Sequence, residues 1–296
     1  MSTYSFKHHY LPKFYLNGFT NKENLFYIYL VKEKRFKKRG KLFSPESHFF
    51  ELNANTLMDE NGPFTDFLET MFYNDLDNDS ANVLGRIRKR SSSYCELSYN
   101  DVAMLQFFIS TLFWRNPQNY FQIAELLKKN SFEKLGFQMV NTTTNGIDRE
   151  SKSIEEMLKK DPNFFKTLKA AIPLANFQSS LNAPHLLKIY GFPTTTLPSI
   201  CGDNPIFLMK LDNIDICAND LILPISKDLL IICAEKIQKE IPINTKIAID
   251  IFILKQSSTF VCCTDKNYPI MLENVFVSQF KTIENLKKFI YKTVFV

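Results

Sequence analysis

The sequence predicts an α+β fold: a helical middle region, with a sheet built from an N-terminal hairpin and C-terminal strands. Three observations predict it. Alternating, β-favouring runs occur near the N-terminus and again after Gly191. From Phe64 to residue 190, apolar residues recur at helical three-and-four spacing. Strands at both ends with helices between them put distant parts of the chain into one sheet. The 296 residues, 45% hydrophobic and 23% charged, show no repeat and no low-complexity linker. They read as a single unit, 1–296, made of an N-terminal motif and basic hairpin (1–55), a helical region (56–190) and a strand-rich part (191–296).

Each element follows from local chemistry. Pro12 suits a first helical position, and Gly18 suits a left-handed cap after one or two helical turns. Leu25 to Val31 alternates and is rich in Tyr, Phe and Ile, which predicts a strand. Lys32 to Lys41 forms the hairpin tip, and Lys41 to Phe50 returns. Phe64 opens a long helix whose buried face runs through Phe67, Leu68, Met71, Phe72, Leu76, Val83, Leu84 and Ile87. Ser98 and Asp101 resemble a capping pair ahead of a very apolar helix, Val102 to Trp114. Pro117 interrupts it, and the pattern resumes over Tyr120 to Leu127. Residues 141–149 read as a loop, with helices at 151–160, 162–172 and 174–189. Strands are expected at Thr194–Ile200, Ile206–Leu211, Asp220–Leu223, Leu229–Ala234 and Thr259–Cys263, and helices at Asn244–Leu254 and Thr282–Tyr291.

Several classes drop out. No segment reaches the run of about 20 apolar residues that a membrane-spanning helix requires, and Met1 to Tyr10 carries Lys7, His8 and His9 in place of an apolar signal core. A cytoplasmic protein with no membrane partner is expected. Cys95, Cys201, Cys217, Cys233, Cys262 and Cys263 form no CxxC pair, so they read as small buried hydrophobes, not zinc ligands. The P-loop, GxGxxG, GxSxG and HExxH motifs are all missing.

Charge is unevenly laid out. Residues 1–45 hold ten Lys or Arg against Glu23 and Glu33, and residues 46–82 hold nine acids with no Lys or Arg. The two surfaces either pair internally or set a basic binding face beside an acidic site. The hairpin tip carries Lys34, Arg35, Lys37, Lys38 and Arg39 among seven cations in ten residues, and a second cluster includes Arg86 and Arg88. Such patches suit nucleic-acid phosphates, although lysines also keep an edge strand from pairing.

His9-Tyr10-Leu11-Pro12-Lys13-Phe14-Tyr15-Leu16-Asn17-Gly18-Phe19 resembles the opening signature H-Y-x-P-x-x-Y-L-x-x-F of domain-of-unknown-function family 4238. Glu69, Arg115-Asn116-Pro117, Asp203-Asn204-Pro205 and Leu223-Pro224-Ile225-Ser226 resemble further elements of that family, in order. The chain departs from it at Gly202, where Ser is usual, and at Asp77, where a second Glu is expected. The resemblance implies no settled activity.

The residues themselves offer two readings. In the first, the protein is a nucleic-acid-directed, nuclease-like hydrolase. Glu69, Asp77 and Asp203 place Mg²⁺ or Mn²⁺, His9 moves a proton, and Arg115 clamps the substrate. In the second, the protein is a non-catalytic nucleic-acid or protein-binding module acting through the basic hairpin. Each residue also has a structural explanation: His9 as a chain anchor, Asp203 as a turn former, the acidic helix face as solvated surface, and Arg115 as an internal brace.

Overall fold

The computed structural model describes residues 6–59, 62–89, 97–135, 140–141, 146–147, 155–156, 158–181, 187–192, 198, 200–212 and 214–295. The fold is α+β. Strands β1 (Lys7–His9), β2 (Phe26–Leu30), β3 (Arg35–Phe36), β4 (Leu42–Phe43) and β5 (Phe50–Leu52) open the chain. The hairpin β6 (Leu57–Asp59)–β7 (Gly62–Thr65) follows, and a second one, β8 (Val140–Asn141)–β9 (Gly146–Ile147), lies further on. The later strands are β10 (Leu187–Gly191), β11 (Ile200–Gly202), β12 (Phe207–Leu208), β13 (Leu221–Pro224), β14 (Leu229–Cys233) and β15 (Phe260–Cys263).

The expected union of the two chain ends is present. One antiparallel sheet runs β11-β15-β2-β3, with β4 also on β2. Its centre pairs Cys262 with both Cys201 and Ile28. A second antiparallel sheet, β10-β14-β13-β12, uses C-terminal strands only. The returning half of the N-terminal hairpin pairs with β2 only at Leu42–Phe43. Phe50–Leu52 leaves to pair with β1 instead, setting His8 opposite Glu51 and His9 opposite Phe50.

The helices are α1 (Lys13–Leu16), α2 (Asn74–Lys89), α3 (Tyr99–Trp114), α4 (Tyr120–Lys129), α5 (Pro162–Leu181), α6 (Ile243–Gln256), α7 (Asn267–Val275) and α8 (Ile283–Val294). Helix α3 is apolar around most of its circumference, so it is buried and packs against α2 and α5. The Ser98–Asp101 capping box forms at its start, an arrangement worth about 1 kcal/mol.

Four expectations need correction. Phe64 lies in β7, which pairs with β6 from Gly62 (φ 116°, opposite Asp59) to Thr65, and the helix begins as a π-helical stretch, Leu68–Tyr73, that runs into α2. Pro173 does not end a helix: α5 runs through it to Leu181, held by its packing on α3. Helix α7 and the π-helical stretch Phe276–Phe280 were not foreseen. Gly18 is required by close approach, not by a left-handed cap, because a Cβ there would run into the Ile225 carbonyl and the Arg88 guanidinium. Gly202, where the family has Ser, is likewise crowded by Ser257 and Ile253 of α6 and its end. Cys95 and residues 194–197 and 199 of the expected strand lie outside the described residues; the five described cysteines are free and buried. No helix among the described residues is long and apolar enough to cross a membrane.

Candidate functional site

The site is best built outward from Arg115, which caps the C-terminal end of α3 and is 3% exposed. A buried guanidinium needs several acceptors to offset its lost hydration. Two come from Asp77 of α2, at 3.1 and 3.3 Å, in a bidentate pair. The third is the Tyr10 carbonyl, 3.1 Å from Nε. The guanidinium also lies 5.4 Å from the centre of the Tyr73 ring. Burial pushes the Asp77 carboxyl up, Arg115 pulls it down, and Glu69 pushes it up again. Glu69 is therefore close to this pair, and its carboxylate accepts a hydrogen bond from Asn55 Nδ2 at 2.8 Å.

Beside this pair runs a second chain of contacts. Lys169 of α5 is 2% exposed and donates to the Tyr120 hydroxyl at 2.9 Å. Tyr120 in turn donates to Glu51 Oε2 at 3.0 Å. Lys169 has its pKa lowered by burial to about 8, against the pull of Glu51 and Glu69. The Tyr120 phenol is raised by burial and by Glu51. Opposite Glu51 on β1, His8 is buried, and its Nδ1 accepts the Asn55 backbone N–H at 2.8 Å. Glu51, Glu69 and Asp77 are half-buried, so the cluster has an open side.

Two polar atoms here have no hydrogen-bond partner among the described residues: the Tyr73 hydroxyl and His9 Nε2. Tyr73 is 1% exposed, and its hydroxyl lies in the fields of Arg115, Glu69 and Asp77. Burial, then Lys13 and Arg115, lower the His9 pKa to about 4, while the ring hydrogen-bonds the backbone of Glu46. His9 is thus neutral at pH 7, on the face of β1 opposite His8. Buried polar atoms left without partners call for an explanation, and a substrate atom is one.

Asp203 plays a different part from the one expected. Its carboxylate accepts the backbone N–H groups of Ser258 (3.0 Å), Thr259 (2.7 Å) and Phe260 (3.4 Å), and the Ser258 hydroxyl (3.3 Å). Its own carbonyl accepts from Asn116 Nδ2 at 2.8 Å. Burial raises its pKa, and those four donors lower it. Among the described residues, no group of three or more His, Cys, Asp or Glu side chains is placed to hold a metal ion. Glu69, Asp77 and Asp203 therefore do not form the carboxylate set drawn for Mg²⁺ or Mn²⁺: Asp77 is committed to Arg115, and Asp203 to the 258–260 backbone.

The cations also divide. Arg88 donates to the carbonyls of Phe14 (2.7 Å), Tyr15 (2.8 Å) and Ile225 (2.9 Å), and burial lowers its pKa to about 10. It is a half-buried brace whose donors are taken up by backbone carbonyls. Arg86 pairs with Asp101, Arg35 with Glu33, and Lys37 with His48 Nε2 at 3.0 Å. Lys34, Lys38 and Arg39 are exposed, pair with no carboxylate among the described residues, and all have positive φ (49°, 46° and 56°).

The motif segments bind one another. Tyr15 donates to the Pro224 carbonyl at 2.7 Å, Arg88 joins Phe14–Tyr15 to Ile225, Arg115 holds Tyr10, and Asn116 holds Asp203. Sequence reasoning misses His8, Glu51, Asn55, Tyr73, Tyr120 and Lys169, because tertiary pairing and not a local pattern brings them together. No curated protein and no solved structure matches this chain. A family model described as "Protein of unknown function (DUF4238)" matches residues 7–277, and the chain belongs to that family.

Proposed function

We propose that this protein is a nucleic-acid-directed hydrolase whose reacting centre is the cluster around Arg115. The observation that carries this reading is the meeting of the buried cations Arg115 and Lys169 with the Tyr73 and Tyr120 hydroxyls and the carboxylates of Glu51, Glu69 and Asp77 at one half-open place. Arg115 and Lys169 supply positive charge for a phosphoryl group, where a water-poor setting strengthens each contact. The Tyr73 hydroxyl and His9 Nε2 await partners that substrate atoms provide. His9, neutral at pH 7, accepts a proton from an attacking water, although its low pKa makes it a weak base. The Lys169–Tyr120–Glu51 chain returns a proton to the leaving oxygen. The exposed hairpin cations Lys34, Lys38 and Arg39 hold the phosphate backbone.

A second reading, a non-catalytic binding module, is favoured by those same three residues. Left-handed conformations at non-glycine residues cost about 1 kcal/mol or more each, and here they present cations. One experiment separates the readings. Fluorescently labelled single- and double-stranded DNA and RNA are incubated with the protein, with EDTA, Mg²⁺ or Mn²⁺, across pH 6–9, and followed by anisotropy and by gel. Cleavage that Arg115→Met and Lys169→Met abolish while binding persists supports the hydrolase. Binding without cleavage under every condition leaves the module, and no binding at low salt removes both.

A further inference from the structure

A cavity of about 340 Å³ lies between the start of α6, the π-helical stretch Phe276–Phe280 and α8. Its lining residues are Asn244, Ile247, Val275, Gln279, Phe280 and Phe289. The volume is at the small end for small-molecule sites, roughly 300–1,000 Å³. The composition also suits one: an apolar, aromatic floor with few polar groups. Phe280 and Phe289 meet edge to face at 5.3 Å. The two polar linings are both carboxamides, and neither side chain hydrogen-bonds another group among the described residues, although each is exposed at the rim. Among the described residues, no charged side chain lines the cavity.

The wall is strained where it closes. Lys281 takes φ 64° and ψ −39° within a three-residue turn, with Thr282 N–H donating to the Phe280 carbonyl at 2.8 Å. Immediately before it, Lys281 N–H reaches back five residues to Phe276 O at 2.8 Å. Such turns are rare and strained, and π-helical turns gather at functional sites. The strain holds Gln279 and Phe280 against the cavity. Gln279, Phe280 and Phe289 all come from residues beyond the family match, which ends at residue 277.

We propose that this cavity binds a neutral, purine-sized heterocycle, as a free nucleoside or as one base of a strand. Uncharged walls exclude a ligand whose affinity rests on phosphate. Aromatic rings offer contact to a flat heterocycle, as they do to bases in single-stranded binding sites. A carboxamide pairs with the donor and acceptor edge of adenine, the pairing Asn and Gln use in reading that base. The site does not depend on the hydrolase reading, because it shares no residue with the Arg115 cluster.

The test is saturation-transfer NMR on the full chain with millimolar adenosine as probe, alongside a short oligo(dA) at equal base concentration. Transfer to the adenine H2 and H8 protons is expected. The Asn244→Leu/Gln279→Leu variant, altered only at exposed positions, is expected to weaken it at least about fivefold, the loss of one amide–base pairing. Equal transfer to adenosine and oligo(dA) identifies a base in a strand as an acceptable source, and transfer to adenosine alone identifies the free nucleoside. No transfer to either probe overturns the proposal, as does transfer that survives unchanged in the double variant while its melting temperature stays at the wild-type value.

Discussion

Lys169→Met tests whether the buried amine in the Arg115 cluster is kept at the expense of stability. The unfolded lysine has the ordinary value of 10.5, and burial lowers the folded value to about 8. Between pH 8 and 10.5 the unfolded state binds more protons than the folded one, so stability rises with pH across that window. Below pH 8 the whole cost of burying the ammonium is present. The gap corresponds to about 3 kcal/mol, at 1.36 kcal/mol per pH unit. Loss of the hydrogen bond to Tyr120 returns about 1 kcal/mol. Methionine fills a similar volume without charge, so the variant should be more stable at pH 7 by about 2 kcal/mol. For 296 residues the unfolding entropy is about 0.6 kcal/mol per degree, giving a midpoint roughly 3 °C higher. Thermal unfolding of both proteins from pH 7 to 10 reads it, and the gain should shrink as pH rises from 8. A variant that melts below wild type, by an amount constant over that range, would refute the reasoning and make Lys169 a structural brace.

The other candidate residues make contrasting predictions. Asp203→Ala leaves three backbone N–H groups without their acceptor and should lower the midpoint by about 3 kcal/mol, or roughly 5 °C; an unchanged midpoint in calorimetry would return Asp203 to the list of free carboxylates. Arg88→Met, which strips a donor from three carbonyls, should destabilise by a similar amount while leaving nucleic-acid affinity of the folded fraction unchanged. The Lys34→Ser/Lys38→Ser/Arg39→Ser variant should keep its midpoint and flatten the plot of log affinity against log salt by about 2 for a single strand. For His9, the unfolded imidazole titrates at 6.5 and the folded one at about 4, so the unfolded state binds more protons in between and stability falls as pH drops through that window. His9→Gln should lessen that acid loss in melts at pH 4–6.5, the remainder staying with His48, which is lowered in the same way.

What the sequence discloses depends on how local the cause is. Strand β2 and the capping box of α3 are set by neighbours within a few residues, and both are where the pattern puts them. Phe64 misleads because it fits the helical spacing of Phe67 and Leu68, while its conformation is fixed by the pairing of β7 with β6. Pro173 misleads in the opposite way. It has no N–H for the Lys169 carbonyl four residues back, yet the helix continues because α3 packs along it. Arg115 is legible as a buried charge at the end of an apolar helix, and Asp77, 38 residues earlier, is not legible as its partner. Lys169, Tyr120 and Glu51 are separated by 49 and 69 residues, so no periodicity could join them. His8 escapes notice beside His9 for a subtler reason: in a three-residue strand, alternation has no length in which to declare which face is inward.

Arg115 is where the two kinds of residue meet, and this decides how mutants should be read. Its side chain belongs to the cluster through Asp77 and Tyr73, while its Nε grips the Tyr10 carbonyl and the next residue, Asn116, grips Asp203. Arg88 holds Phe14 and Tyr15 to Ile225, just after β13, and Asp203 holds the 258–260 backbone that leads into β15, so substitutions there lower stability and activity together, and lost activity alone says nothing about chemistry. Lys169, His9 and Tyr73 differ. Each is buried at a cost that its present contacts do not recover, by a depressed pKa or an unpartnered atom. Departures of this kind gather at functional sites, where a chain gives up stability for chemistry. A group that costs stability and whose removal spares the fold while ending turnover is thereby separated from a brace, and Lys169 is the one whose charge-burial cost is present in full at pH 7.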